Sequence, residues 1–331
     1  MSEYPVRMTT PRVSVIIPSY NRADCVSRAI DSVLSQTYRD FEIIVVDDGS
    51  SDNTRDVVTA YGDPVRYVFQ QNQGPGAARN HGIRVAAGTY LGFLDSDDVW
   101  MPTFLARTVA ALDEHPEAGV VTTAIYLGPE DRKVPGHMEG IETGLWEPSS
   151  DLPRTKMHQA LSGFCPPALL VRADVVRKYG GYYEHRCMLG EDVYLWIQVL
   201  LNHKVYRIRE PLIWYDTGVS GLGFSSGKAH YPLEPVLENP DPIWRNCPDR
   251  HREFLSTWLA AHALKTIHIQ IAKCDYDNAR WLLEHYPRVR QWRWDWLRIR
   301  FKLAFPGVAG ILRRAKRRFL QRRPDGPSRP V

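Results

Sequence analysis

Several familiar features are missing from this sequence, and each absence closes off a class. Its 331 residues include only five cysteines, Cys25, Cys165, Cys187, Cys247 and Cys274. They are odd in number, far apart and without a Cys-x-x-Cys pair, which argues against a disulfide framework or a zinc site and for free thiols in a reducing cytoplasm. No stretch approaches the ~18 apolar residues of a membrane-spanning helix. The N-terminal MSEYPVRMTTPR lacks the apolar centre of a signal peptide, so a cytoplasmic protein is expected. The 11 histidines show no H-E-x-x-H or other paired spacing, as a zinc hydrolase would need. The glycines of GPGAARN are not spaced as G-x-G-x-x-G, and no strand ending in an acid follows at the distance a dinucleotide-binding unit requires. They are read as letting the backbone turn tightly into a helix. There is no internal repeat, and no low-complexity segment beyond a basic C-terminal stretch.

What is present is ordinary in bulk and uneven in detail. Hydrophobic residues at 44% and charged residues at 24% fit a soluble globular chain, long enough for one large domain or two smaller ones. The net charge of +4 conceals a division. From Arg288 onward 14 Lys and Arg face only Asp295 and Asp325, a net of +12, leaving the first 287 residues at −8. An acidic body and a basic tail call for two kinds of partner.

Along the chain, apolar β-branched runs alternate with helical periodicity. Strands are expected at 13–18, 41–46, 65–69, 90–94 and 118–124, with helices at 23–36, 52–61, 74–87 and from about 102. Short connections between alternating strands and helices imply a parallel sheet with right-handed crossovers. Further on, the pattern predicts a Gly-, Pro- and acid-rich loop over the site at 126–153, a short apolar segment at 167–171 and a short helix at 172–179. A Gly- and Tyr-rich loop at 180–190 precedes a helix at 191–202. An edge strand at 205–208, a mobile Gly- and Ser-rich segment at 217–227 and helices at 252–272 and 276–285 complete the reading.

Ligands of such sheets gather beyond the C-terminal strand ends. Three strand ends carry polar clusters on the same edge: SYNR, DDGS and DSDD. The last places Asp95, Asp97 and Asp98 within four residues. Mutually repelling carboxylates are costly to bury unpaired, so a hard divalent ion such as Mg²⁺ or Mn²⁺ suits them. An acidic turn capping the next helix is the plainer alternative.

Five motifs in order, PSYNR at 18–22, VVDDGSSDNT at 45–54, GPGAARNHGI at 74–83, FLDSDD at 93–98 and GED at 190–192, resemble the inverting family-2 glycosyltransferases of GT-A fold. The resemblance covers residues 12 to about 215. It implies an α/β fold with a Rossmann-like, mostly parallel sheet flanked by helices. The implied catalytic domain spans 1–225, with a nucleotide-sugar half at 12–124 and an acceptor half at 125–225, and a helical C-terminal region follows at 226–331. It implies transfer of a sugar from a nucleotide-diphosphate sugar to an acceptor hydroxyl, in cell-surface glycan or polysaccharide synthesis. By position Asp192 becomes the general base with Glu191 beside it. Asp97 becomes the first metal ligand, with Asp98 and Asp95 close by. Asp48 takes the base edge, Tyr20 packs on the base, Pro18 and Arg22 lie nearby, and Arg79 reaches the diphosphate or braces the metal loop.

Each residue also has a plainer reading. Tyr20 is otherwise a packed aromatic, Asp47 a turn-former supporting Asp48, and Glu191 and Asp192 acids at a helix start. One departure stands out. Where many relatives carry a histidine after the strand matching 212–215, this chain reads WYDTGVSGLG, so Asp216, a loop residue, or phosphate and water must take its place. A nucleotidyltransferase would want a Gly-rich loop with a lysine after the first strand, which SYNR does not supply. A non-catalytic sugar-nucleotide-binding scaffold is the other competitor. In the tail, tryptophans interleaved with arginines at 288–323 suit an anionic membrane surface on the inner leaflet, with a lipid-linked glycan as acceptor. A packed helix with a solvated basic face is equally consistent, whereas no nucleic-acid motif accompanies the charge.

Overall fold

The computed structural model describes residues 10–129, 134–136, 142–149, 151–153, 161, 164–185, 187, 190–218 and 233–305. The expected segments at 219–227 and 306–323, and much of the 126–153 loop, lie outside the described residues. The chain divides into two compact units, one of residues 1–227 and 234–255, the other of residues 228–233 and 256–331.

The first unit is built on one mixed, mostly parallel sheet. Strand β1 (Val13–Ser19) is buried at all seven positions, as an apolar β-branched strand covered on both faces must be. Helix α1 (Val26–Leu34) follows, burying Val26, Ala29, Ile30 and Val33. It starts three residues later than the periodicity predicts. The connecting segment is tied instead to the next loop: Ala23 N donates to Asp52 Oδ2 at 3.1 Å, and Asn21 takes a positive φ of 51°. Strand β2 (Phe41–Asp47) pairs parallel with β1, Val15 opposite Ile43. Helix α2 (Thr54–Thr59) then leads to β3 (Val65–Phe69), which pairs parallel with β2. Helix α3 (Pro75–Val85) crosses to β4 (Tyr90–Phe93), which flanks β1 on its other side.

Beyond this point the sheet becomes mixed. A two-residue strand β5 (Val99–Trp100), unread in the sequence, precedes α4 (Phe104–Glu114) and β6 (Ala118–Gly128). Short strands β7 (Val134–Gly136), β8 (Gly144–Trp146) and β9 (Leu169–Arg172) follow; β9 runs antiparallel to both β4 and β6. Helices α5 (Ala173–Lys178) and α6 (Glu191–Asn202) come next. Strand β10 (Lys204–Asp216) runs for 13 residues, parallel to β6 and antiparallel to β5 and β8. The expected edge strand at 205–208 is therefore the first part of a long interior strand. Pro211 lies between two shifts of register against β6. A residue with no N–H to offer is accommodated at such an irregularity, whereas in the sequence it reads as an end.

Short helices α7 (Pro235–Glu238) and α8 (Asp241–Asn246) close the unit, with Asn246 Nδ2 donating to Gln198 Oε1 of α6 at 2.8 Å. The second unit is helical where described. It holds most of α9 (Arg252–Lys273), then α10 (Tyr276–His285), capped by Asp275 accepting from Asn278 N, and α11 (Arg293–Ala304).

Candidate active site

The parallel strands β1, β2 and β4 release their polar ends side by side, and the side chains there are knitted together. Asn21 N donates to Ser50 Oγ at 2.9 Å, and Ser51 N returns a bond to Asn21 Oδ1 at 2.8 Å, locking SYNR to DDGSS. Arg22 Nη2 lies 3.7 Å from Asp97 Oδ2, reaching across to DSDD. Pro18 is buried within β1, and Tyr20 just beyond it is 41% exposed, open to a ligand face.

Asp47 and Asp48 are both buried and divide the labour of this edge. Asp47 accepts Ser50 N at 2.8 Å and the Tyr67 hydroxyl at 2.6 Å, closing its own turn. Asp48 accepts Gln70 Nε2 (2.7 Å), Gln73 N (2.9 Å) and Gly74 N (2.8 Å). It thereby shapes the lead into α3; a carboxylate with about four lone-pair directions keeps one free.

Helix α3 delivers the side chain that joins the two halves of the site. Arg79 is buried, yet Nη2 donates to Asp95 Oδ1 at 2.6 Å and Nη1 to Glu191 Oε1 at 3.1 Å. Burial opposes its charge, but Asp95 first, then Tyr182 and Glu191, outweigh that cost and hold it protonated. Asp95 follows β4 and Glu191 opens α6, so motifs 96 residues apart in sequence meet on one guanidinium. The close approach is possible because of Gly76: a Cβ there would stand 2.6 Å from the Tyr183 carbonyl oxygen and 3.3 Å from Glu191 Cγ. Gly74, with φ of 99°, makes the turn the sequence predicts, whereas Gly76 serves helix contact.

Asp192, next to Glu191, accepts its neighbour's amide, Val193 N, at 2.8 Å. Burial, then the charge of Glu191, raises its pKa to about 7, against the opposing pull of Arg79. A carboxyl poised there is suited to taking a proton.

The DSDD carboxylates sit in an environment that asks for a cation. Burial and then the charge of Asp95 raise Asp97 above the usual carboxylate range, and the same two causes raise Asp98 well above it. Asp98 Oδ1 accepts Asp216 N at 3.1 Å, while Oδ2 is buried without a hydrogen-bond partner. Oxygen donors of this kind fit a hard divalent ion. Among the described residues no three His, Cys, Asp or Glu side chains converge as a finished ligand set. A cation here would draw part of its shell from elsewhere.

Arg28 is the participant that sequence reasoning missed. From α1 it donates to the Asp97 carbonyl at 2.9 Å and to Asp216 Oδ2 at 2.8 Å, and its guanidinium lies 4.7 Å from the Trp214 ring centre. Its partner is 188 positions away, and nothing in helix periodicity announces such a contact. Asp216, at the end of β10, is thus fastened to the acidic turn by both backbone and side chain.

The model for "Glycosyl transferase family 2" matches residues 14–180. Among curated relatives, an uncharacterized glycosyltransferase of Nostoc sp. is 48% identical over 127 residues, 37% of this chain and 39% of that protein. One from Rickettsia typhi is 31% identical over 204 residues, 62% and 63% of the two chains. Validoxylamine A glucosyltransferase of Streptomyces hygroscopicus is 41% identical over 124 residues, 36% and 28%. The chain therefore spans less than two thirds of each of these relatives. Among solved structures, S. aureus TarS 1–349 in complex with UDP-GlcNAc aligns with a TM-score of 0.65 at 22% identity, covering 83% of this chain and 82% of that one. Mannosyltransferase PcManGT from Pyrobaculum calidifontis, in complex with GDP-Man and Mn²⁺, aligns at 0.52 and 18% identity, covering 92% and 88%. At such identities the likeness speaks for the fold.

Proposed function

The chain belongs to glycosyl transferase family 2, and from that premise we propose that it transfers a sugar, with inversion, from a nucleotide-diphosphate sugar to an acceptor hydroxyl. The observation that carries this reading is the Arg79 bridge, which puts the acidic turn after β4 beside the start of α6. In this reading residues 12–124 are the donor half and 125–225 the acceptor half of a catalytic domain spanning 1–225, with 226–331 as a C-terminal appendage, helical where described. Tyr20 stacks on the base, Asp48 uses its remaining lone pair at the base edge, and Pro18, Asp47 and Arg22 shape the floor. Asp97, with Asp95 and Asp98 near it, would hold Mg²⁺ or Mn²⁺, with oxygens of the bound diphosphate and water supplying the rest of its ligands. Such an ion would supply positive charge against the diphosphate leaving group.

Asp192 accepts the proton of the acceptor hydroxyl, whose oxygen bonds to the anomeric carbon from the face opposite the diphosphate. The carbon–oxygen bond to the diphosphate breaks, and the electron pair leaves with the nucleoside diphosphate. Glu191, paired with Arg79, keeps a negative charge beside Asp192 and so keeps it basic. Arg28 and Asp216 brace the acidic turn. The acceptor is a growing cell-surface glycan or its lipid-linked form, met by a cytoplasmic enzyme attached peripherally to the inner face of the plasma membrane.

Replacing Asp192 with Asn separates an enzyme from a sugar-nucleotide-binding scaffold. Turnover should fall about 10²–10⁴-fold, as loss of a general base does, with nucleotide affinity retained. Unchanged turnover would sink the assignment.

A further inference from the structure

Helix α11 presents apolar side chains on two opposite faces: an inner one that buries Ile299 and half-buries Trp296 and Leu303, and an outer one left in water. Ile299 is buried, whereas Trp294 (76% exposed), Leu297 (41%), Phe301 (47%) and Phe305 (54%) stand in water. Their spacing of three, four and four residues puts all four on a single stripe, with Phe305 just past the helix end. Arg298 lies along that stripe and Arg293 and Arg300 border it on the other side, all three exposed. Asp295 is the only acid in the helix, against Arg293, Arg298, Arg300 and Lys302. Among the described residues no helix is long and apolar enough to cross a membrane. An apolar stripe edged by cations is the pattern of a helix that lies in the plane of a lipid interface.

We propose that this face docks on an anionic lipid surface, with Trp294, Leu297, Phe301 and Phe305 at the headgroup–acyl boundary and the bordering arginines on lipid phosphates. Charge decides between occupants. A second copy would bring two cationic helices together, which repel. Nucleic-acid phosphates would meet the arginines but leave the apolar width of the stripe, Leu297 included, in water, whereas an anionic bilayer satisfies both its apolar and its cationic parts. This names the surface behind the peripheral attachment proposed above. Its test reads binding without turnover, so either proposal can fail while the other stands.

The full chain would be sedimented with phosphatidylcholine vesicles, with and without phosphatidylglycerol, at low and high salt. Binding is expected only with phosphatidylglycerol and should fall as salt rises. Trp294→Glu with Phe301→Glu should abolish it, and Arg298→Gln should weaken it about fivefold, in line with one interfacial charge. Brominated acyl chains should quench tryptophan emission in the native chain and less in Trp294→Phe, which keeps an aromatic ring and needs no refolded surface. Four results would each overturn the proposal: no vesicle binding, binding unaffected by the paired Glu substitutions, quenching unchanged in Trp294→Phe, or an RNA oligonucleotide or self-association replacing lipid as the partner lost on substitution.

Discussion

Asp192 is the residue on which both rate and stability should turn with pH. Its pKa is raised from 3.8 to about 7, so the ionised base accumulates only near neutrality. Turnover should rise about tenfold per pH unit on the acid side and level off above about 7, because only the deprotonated carboxyl takes a proton. A pH–rate profile flat down to pH 5 would contradict the assignment. The stability consequence has the opposite sense. The folded state holds the proton more tightly than the unfolded chain does, so native Asp192 is neutral in effect below about 4 and increasingly destabilising as pH rises towards about 7. Asp192→Asn, which keeps an oxygen to accept Val193 N, should match the native protein in acid. At pH 8 it should be about 1–3 kcal/mol more stable, a figure reduced from the full shift because the side chain is partly solvated. Thermal melts at the two pH values decide it. Arg79 has the reverse character. Removing it strands Asp95 and Glu191, so Arg79→Ala should cost about 2–5 kcal/mol, measured by denaturant unfolding, and Arg79→Lys should restore only part, since an ammonium lacks the two-pronged reach.

At the scale of elements, the contact between α3 and the start of α6 is where the architecture is least tolerant. Gly76→Ala places a methyl 2.6 Å from a backbone oxygen, an atom that cannot rotate away. Overpacking of that kind should lower stability by about 1–3 kcal/mol, seen as a reduced melting temperature, and should depress turnover more than nucleotide binding, because Glu191 is the neighbour displaced. The elements themselves were unevenly legible. The runs giving β1, β2 and β3 and the periodicity of α6 announce themselves, since a buried strand must be apolar and a half-buried helix must alternate. Strand β10 was cut short by Pro211, and β5 at Val99–Trp100 is too brief to carry a period. Helix α1 loses its first turn to bonds made with the start of α2 and the loop before it, such as Arg22 N to Thr54 Oγ1 at 2.9 Å.

For the molecule as a whole, the expected signature is metal-dependent nucleotide binding. A thermal-shift panel of UDP, GDP, dTDP and CMP, each with and without Mn²⁺, should single out one nucleotide that stabilises only with the ion. At a hundred times its dissociation constant the gain is about 2.7 kcal/mol. Equal shifts with and without Mn²⁺ would remove the metal from the proposal, and no shift at all would favour a scaffold.

Residue chemistry along the chain was enough to set the sheet, the edge where polar ends collect, and the five motifs with their order, because these depend on local period and on residue type. Folding was needed for everything that depends on distant partners. It put Arg79 between Asp95 and Glu191, tied Arg28 to Asp216, engaged both oxygens of Asp48, and turned Trp294, Leu297 and Phe301 outward. A guanidinium or an aromatic ring has the same local propensity whether it meets solvent or a carboxylate a hundred residues away. Only packing decides which.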